Sequence, residues 1–499
     1  MTFNIDRTVL LLPMAAMVAL PLAGACSDDS VAAGPATSVQ SAQSSSGTGG
    51  MSSTQTSSST GGIGGSNAFV TPTPVAVPLS MAGADQLQSA TAAAGGDFYA
   101  AGFAQATLTD PRFVTVVKLS ASGLVTSWGT GGIVTTPLAF VGGSDEIDIT
   151  TQSDGKILVS ATVANATNTA DRDVAVIRLL DDGSVDTTFG TAGIATVNLN
   201  DAHDNGMMLV AMDQSRSITV DGDDNVFVHA NSRGLGDSML GGPRTDTDFT
   251  VVKLSLDGVV DAAFGTAGQF RLDIQESSST ARQIRALSDD TLLAGGYANT
   301  PDVGSVQPVL YKLTAAGELD PAFATGGFFH EAILATQTEI YGFALHGDNA
   351  VTAGYGRNTG DTNDYVSLRF DITNGTRDLT WGRTPNGAVL VDPSGMMLGS
   401  NARGAIALPG GETVIMGSTG PSNAPEQDAV FVVLDAEGML DTAYGTGIHV
   451  IKLGNDGNDQ FWGGALSGNT VALVGYQGGG MTPTDTQNDD AYAVFFEVQ

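Results

Sequence analysis

Carboxylates are the side chains whose type and spacing in this 499-residue chain could do chemistry. Asp173, Asp248, Asp364, Asp428 and Asp490 each stand six residues before a strand-closing Leu or Phe, at the start of an apolar β segment. Gathered on one face, they would form a ring able to bind calcium or a polyol. Each could instead cap the backbone amides of its own loop. The cap explains repetition more simply, because one internal role per unit suffices. The five nonetheless stand as the candidate ligand-binding residues. A second set, Asp186, Asp261, Asp320, Asp378 and Asp441, lies three residues before an aromatic anchor. That spacing suits an N-cap on one helical turn, with Arg178, Lys253, Lys312 and Arg369 as partners for a structural ion pair.

Other chemistry is sparse. Asp221 to Asn225 and Asn455 to Asp459 are rich in calcium-type ligands, yet neither continues to the glutamate of an EF-hand loop. No metal or other cofactor is therefore expected, calcium being the one ion those loops could suit. The five histidines form no HExxH or HxH pair. Gly236 to Leu240 approaches a nucleophile elbow but has Leu where the second Gly belongs. No catalytic residue is assigned.

Composition narrows the partners. With 20 Lys plus Arg against 53 Asp plus Glu, the formal charge is −33. Such a chain lacks the basic patch that displaces counterions from nucleic acid, so no nucleic-acid partner is expected. The single cysteine, Cys26, excludes an internal disulfide and a Cys-based zinc site.

The position of Cys26 gives it a different role. Residues 1–25 hold one Arg and then an apolar run ending in small residues, the pattern of a secretory signal. Leu22-Ala23-Gly24-Ala25-Cys26 resembles the lipobox of bacterial lipoproteins, with leucine one place further from the cysteine than that family usually has it. The resemblance implies cleavage before Cys26, lipid attachment to its thiol and a membrane anchor at the new N-terminus. Residues 26–67 are a Ser, Thr and Gly-rich stretch that buries too little apolar surface to order itself, and so reads as a flexible linker. Ser27 stands where inner-membrane retention would call for Asp, which by the same resemblance directs the protein to the outer membrane or cell surface.

Residues 68–499 repeat a unit of about sixty residues. Its aromatic anchors are Trp128, Phe189, Phe264, Phe323, Trp381 and Tyr444. Strand-closing residues at Leu119, Leu179, Leu254, Leu313, Phe370, Leu434 and Phe496 make seven units. The second unit divides into β segments at residues 146–152, 156–163, 173–180 and 193–199, with a tight hairpin at Asp154-Gly155. Four short strands per unit, and no helix to carry a parallel crossover, predict an all-β chain: a seven-bladed β-propeller of four-stranded blades. The last unit stops after its third strand, and Val70 to Leu79 resembles a fourth strand. An N-terminal strand is therefore expected to complete the last blade and close the ring.

The repeated block, with Asp154-Gly-Lys-Ile-Leu-Val159 and Asp182-Gly-Ser-Val-Asp-Thr-Thr-Phe-Gly190, resembles the delta-60 repeat family of bacterial exported proteins. That resemblance implies architecture and export and carries no general catalytic motif. The expected function is a lipid-anchored surface protein, binding or scaffolding a glycan, peptide or protein through the variable loops between second and third strands. The alternative is an extracellular hydrolase or lyase with its site at the central opening of the same face, which convergent carboxylates or a polar triad there would favour.

Overall fold

The computed structural model describes residues 69–499 apart from 81, 142–145, 202, 205–208, 211–212, 240, 301–303, 421–426, 454–457 and 479–488. Cys26, the leader and the linker lie outside the described residues.

Among those residues the chain is all-β apart from three single-turn 3-10 helices. The second unit forms strands at Asp148–Thr151, Ile157–Ala164, Arg172–Leu179 and Ile194–Val197, paired antiparallel in chain order. These lie within two residues of the segments read from the sequence. Turn chemistry follows the expected positions: Gly155, Asp224, Asp290, Gly411 and Gly468 all have positive φ. In the fifth unit the positive φ falls on Gly347, one residue before the expected Asp348-Asn349 pair.

Second and third strands such as Ile157–Ala164 and Arg172–Leu179 are buried on both faces, which is why they read as nearly continuous apolar runs. Along Arg172–Leu179, Ala175 and Ile177 pack with the first unit around Tyr99, Phe103 and Trp128. Val174 and Val176, on the other face, pack with Ile218 and Val228 of the third unit. The core is thus a series of layers between sheets.

The repeated Asp-Gly…Phe-Gly block forms the joint between neighbours. Asp186 Oδ1 accepts from the Thr188 amide at 3.1 Å while Arg178 Nε donates to Asp186 Oδ2 at 2.9 Å, so the aspartate caps the turn that buries Phe189. Gly258, in the next unit's turn at φ 78°, lies against that ring; a Cβ there would sit 2.9 Å from Phe189. The Gly190 amide donates to the Asp257 carbonyl at 2.8 Å, and Gly265 to Ala316 and Gly382 to Glu437 repeat the bond.

Two departures from the expected unit occur. The fourth and fifth units share a ten-stranded sheet. Phe328–His330 covers only residues 309–311 of the third strand, and Gln337 pairs in parallel with Val306, beyond that stretch, and antiparallel with Arg357. The first unit carries a fifth, two-residue strand, Gly123–Leu124. At the chain ends, Val75–Ala76 pairs antiparallel with Asp490–Glu497, Val75 opposite Ala493.

Candidate functional site

The first strands of successive units lie side by side. Asp85–Ala92 contacts Asp148–Thr151 on one side and Gln460–Ser467 on the other. They enclose a cavity of about 210 Å³ lined by residues from every unit.

A β-bulge decides which side chains reach it. Pairing of first and second strands slips between Leu87 and Ser89, Ser215 and Ser217, Ala281 and Gln283, Ala402 and Gly404, and Phe461 and Gly463. The residue skipped each time is Gln88, Arg216, Arg282, Arg403 or Trp462, and each lines the cavity. A bulge re-aims one side chain without breaking the sheet. The second strand pays for this with glycine. A Cβ on Gly417 would lie 1.9 Å from the Asn401 carbonyl oxygen, and one on Gly296 would lie 2.0 Å from that of Thr280.

Cations and aromatic rings alternate around one side of the cavity. The Arg282 guanidinium carbon is 3.7 Å from the Tyr341 ring centroid. Arg403 lies between Tyr341 at 4.9 Å and Trp462 at 4.6 Å. Each pair is a cation–π contact in a desolvated setting. Arg285 and Arg216 complete the lining cations. Arg216 Nη2 donates to Gln214 Oε1 at 3.2 Å.

The two carboxylates among the described lining residues are held by donors. Glu146 accepts from Arg282 Nη1. Asp148 accepts from Ser89 Oγ at 2.5 Å, Ser217 Oγ at 2.8 Å and the Ile218 amide at 2.9 Å. Asp148 thereby ties its own first strand to those of the first and third units, and Glu146 joins the second unit to the fourth.

The aspartates singled out by spacing occupy the starts of the third strands and line no part of the cavity. Asp173 is buried and accepts from Asn165 Nδ2 at 3.0 Å. Asp248 is buried against Arg244 at 2.7 Å, which also bridges to Asp246 and, at 2.9 Å, Asp273. Those three carboxylates form an acidic cluster whose counter-charge is Arg244. Burial raises the Asp248 carboxyl to about 6, and lifts Asp173 and Asp364 above the usual range. Asp364 and Asp428 are half-buried and Asp490 is exposed. The structure brings Asp248 together with Asp246 and Asp273, and does not bring the five together with one another. Of the calcium-type loops, Asp221 Oδ1 accepts from the Asp223 and Asn225 amides at 3.0 and 2.9 Å, closing its own hairpin. Part of Asn455 to Asp459 lies outside the described residues.

A further acidic position escaped notice in the sequence. Asp213 and Asp459 immediately precede first strands and Asp85 opens one; all three accept amides of the incoming connection, and Asp85 also takes one from the last strand. Asp213 Oδ2 takes Leu199 and Asn200, Asp459 Oδ2 takes Leu453, and Asp85 takes Ser80 and Ala491. Burial pushes Asp213 up to about 8 and Asp85 to about 6. The arginines were missed for a different reason: each stands beside a small residue, as in Ser215-Arg216, Ala281-Arg282 and Ala402-Arg403, and that recurrence was their only signal.

Comparison with known proteins bears on the fold. No curated protein matches the sequence. Among solved structures, a protein of unknown function from Dyadobacter fermentans is 10% identical, with TM-score 0.43 over 87% of this chain and 100% of that one. The polysaccharide lyase Uly1 is 11% identical, with TM-score 0.47 over 83% and 90%. The β-propeller domain of the Trilobed protease from Pyrococcus furiosus is 10% identical, with TM-score 0.41 over 84% and 97%. A family model described as a domain of unknown function (DUF5122) beta-propeller matches residues 152–189 and 287–323, within the second and fourth units. The chain is thus similar to that propeller family in two of its units, and its all-β architecture is a β-propeller.

Proposed function

We propose that this chain is an exported, lipid-anchored, seven-bladed propeller that binds its partner non-enzymatically at the central opening on the variable-loop face. The observation that carries the binding reading is the cavity to which every first strand contributes. Rigid sheets presenting polar side chains into one concavity make a binding site with little ordering cost. The variable loops share this end of the molecule: the Gln105 amide, where one such loop begins, bonds the Ala84 carbonyl at the entry of the first strand. The seven-unit count supports the blade number, and the pairing of Val75 with Ala493 supports closure by the N-terminal strand. Cys26 and the linker at residues 26–67 carry the anchoring proposal, with the outer membrane or cell surface as destination.

Two measurements test this reading. Radiolabelled fatty acid incorporated by the full chain should be lost in Cys26→Ser; continued labelling would remove the anchor. A screen of soluble glycans and peptides against the full chain should give a ligand whose binding changes the fluorescence of Trp462. A ligand that binds equally well after Trp462→Ala would displace the site from the central opening.

A further inference from the structure

We infer that Asn386-Gly387, the turn leading into the outer strand of the fifth unit, is a self-modification site, where the Asn386 side-chain amide is lost as ammonia and the backbone is rerouted as isoaspartate. The inference is independent of the central opening and of what binds there. An asparagine followed by glycine is open to attack by the glycine's amide nitrogen, because no Cβ shields that nitrogen. Two such pairs lie among the described residues, Asn374-Gly375 and Asn386-Gly387, and a third, Asn205-Gly206, lies outside them. Both described asparagines are exposed, and both glycines are buried at positive φ, 71° and 65°. Their hydrogen bonds set the two pairs apart.

At Asn374 both the leaving group and the nucleophile are held. Its Nδ2 donates to Asp371 Oδ2 at 3.0 Å, and the Gly375 amide donates to the Asp371 carbonyl at 2.8 Å. At Asn386 neither is. The Gly387 amide reaches the Thr384 carbonyl only at 3.4 Å, beyond the usual range of an N–H···O bond, and Asn386 Nδ2 has no partner among the described residues. Both side chains are folded back over the following peptide by the next amide but one, Thr376 donating to Asn374 Oδ1 at 2.8 Å and Ala388 to Asn386 Oδ1 at 3.3 Å. Such a turn brings Cγ towards the glycine nitrogen and polarises the carbonyl under attack. Asn386 alone of the two combines that approach with a weakly held nucleophile and an unheld leaving group.

In the first step Gly387 N bonds to Asn386 Cγ, the Cγ–Nδ2 bond breaks, and Nδ2 leaves as ammonia with the proton given up by the Gly387 amide. Water then adds across the five-membered imide. Opening at Cγ yields aspartate, whereas opening at the main-chain carbonyl yields isoaspartate, whose chain runs through Cβ and is one methylene longer. The turn has no room for that methylene: a Cβ on Gly387 would lie 2.1 Å from the Asp378 carbonyl oxygen and 2.7 Å from Leu379 Cα. The Asn386 carbonyl also accepts from Arg377 Nη1, a contact the longer chain displaces. Asp378 itself caps the turn that buries Trp381. Modification therefore loosens the join between that turn and the outer strand Val389–Val391.

The test is incubation of the folded full chain at mildly alkaline pH, followed by tryptic digestion and fragmentation mass spectrometry. Cleavage after Arg369, Arg377 and Arg383 puts the two asparagines in separate peptides. Asn386 should gain about one dalton, at least about tenfold faster than Asn374, the scale of losing a hydrogen bond to a charged group. Labelling by isoaspartyl methyltransferase should mark the Asn386 peptide. In urea, where the turns are lost, the two rates should converge. The incubated chain should melt at a lower temperature than the fresh one, and a folded Asn386→Gln chain should keep its melting temperature through the same incubation. Equal rates in the folded chain, or an advantage for Asn386 that persists in urea, would overturn the inference. A mass gain at Asn386 without methyltransferase labelling or a change in melting would overturn the rerouted backbone, leaving simple conversion to aspartate.

Discussion

The guanidinium carbon of Arg282 lies 3.7 Å from the centre of the Tyr341 ring, although the two residues belong to different units of the repeat. A cation and a ring so placed hold two first strands in register across the cavity. Tyr341→Leu should therefore lower unfolding free energy by about 2–4 kcal/mol, from lost ring burial and cation–π contacts. Tyr341→Phe keeps the ring and loses only the hydroxyl contact to Tyr355 at 3.0 Å, so it should cost about 1 kcal/mol. Urea denaturation of both variants measures the difference, and equal losses would show that the ring contributes nothing beyond its hydroxyl.

Close approach of the first two strands makes a sharp contrast between two neighbouring glycines. Gly417→Ala would drive a Cβ to 1.9 Å from the Asn401 oxygen, whereas Gly404→Ala meets nothing nearer than 3.6 Å. The first should destabilise by about 3 kcal/mol or more and the second by under about 1 kcal/mol. Thermal melts decide it; tolerance of alanine at Gly417 would mean that the bulge can flatten.

Buried carboxyls give the fold a pH dependence of defined sign. Asp213, Asp85 and Asp248 have folded values raised to about 8, 6 and 6, above the 3.8 of an unperturbed aspartate. Between pH 4 and 6 for the latter two, and up to 8 for Asp213, the folded chain holds more protons than the unfolded one. Stability contributed by these groups is complete below about pH 4 and falls as pH rises through their folded values. Asp213→Asn keeps an acceptor for the Leu199 and Asn200 amides and cannot ionise. Its unfolding free energy should fall less between pH 5 and 8 than that of the wild type; parallel pH profiles would count against Asp213 as the source.

The repeated Arg–Asp pair should differ in strength between units. Arg178 and Asp186 are 3% and 5% exposed, while Arg369 and Asp378 are 28% and 24% exposed. Arg178→Gln leaves a carboxylate buried and should cost about 3 kcal/mol. Arg369→Gln leaves one in contact with water and should cost about 1 kcal/mol or less. Chemical denaturation of the two single variants is the check.

What could be read in the sequence was whatever repeats in type as well as in place. The third strand, its closing Leu or Phe and the turn that follows recur almost unchanged, because each must pack the same ring, such as Phe189, against the next unit's glycine, such as Gly258. The first strand keeps only its shape. Its bulge breaks the period-two alternation by which strand faces are assigned, and the residue it re-aims is Gln88, Arg216, Arg282, Arg403 or Trp462 in different units. A position that varies in chemistry while keeping its geometry leaves no composition pattern to find. The aspartate series was conspicuous for the opposite reason: Asp173 and its counterparts recur in type at the starts of third strands, away from the cavity.

The pairing of Val75 with Ala493 sets an order of events during synthesis. A ribosome delivers residue 75 more than four hundred residues before its partner, so this sheet stays incomplete until all of those residues have been made. Until then the outer edge of Asp490–Glu497 does not yet exist, and Val75–Ala76 has no strand to join.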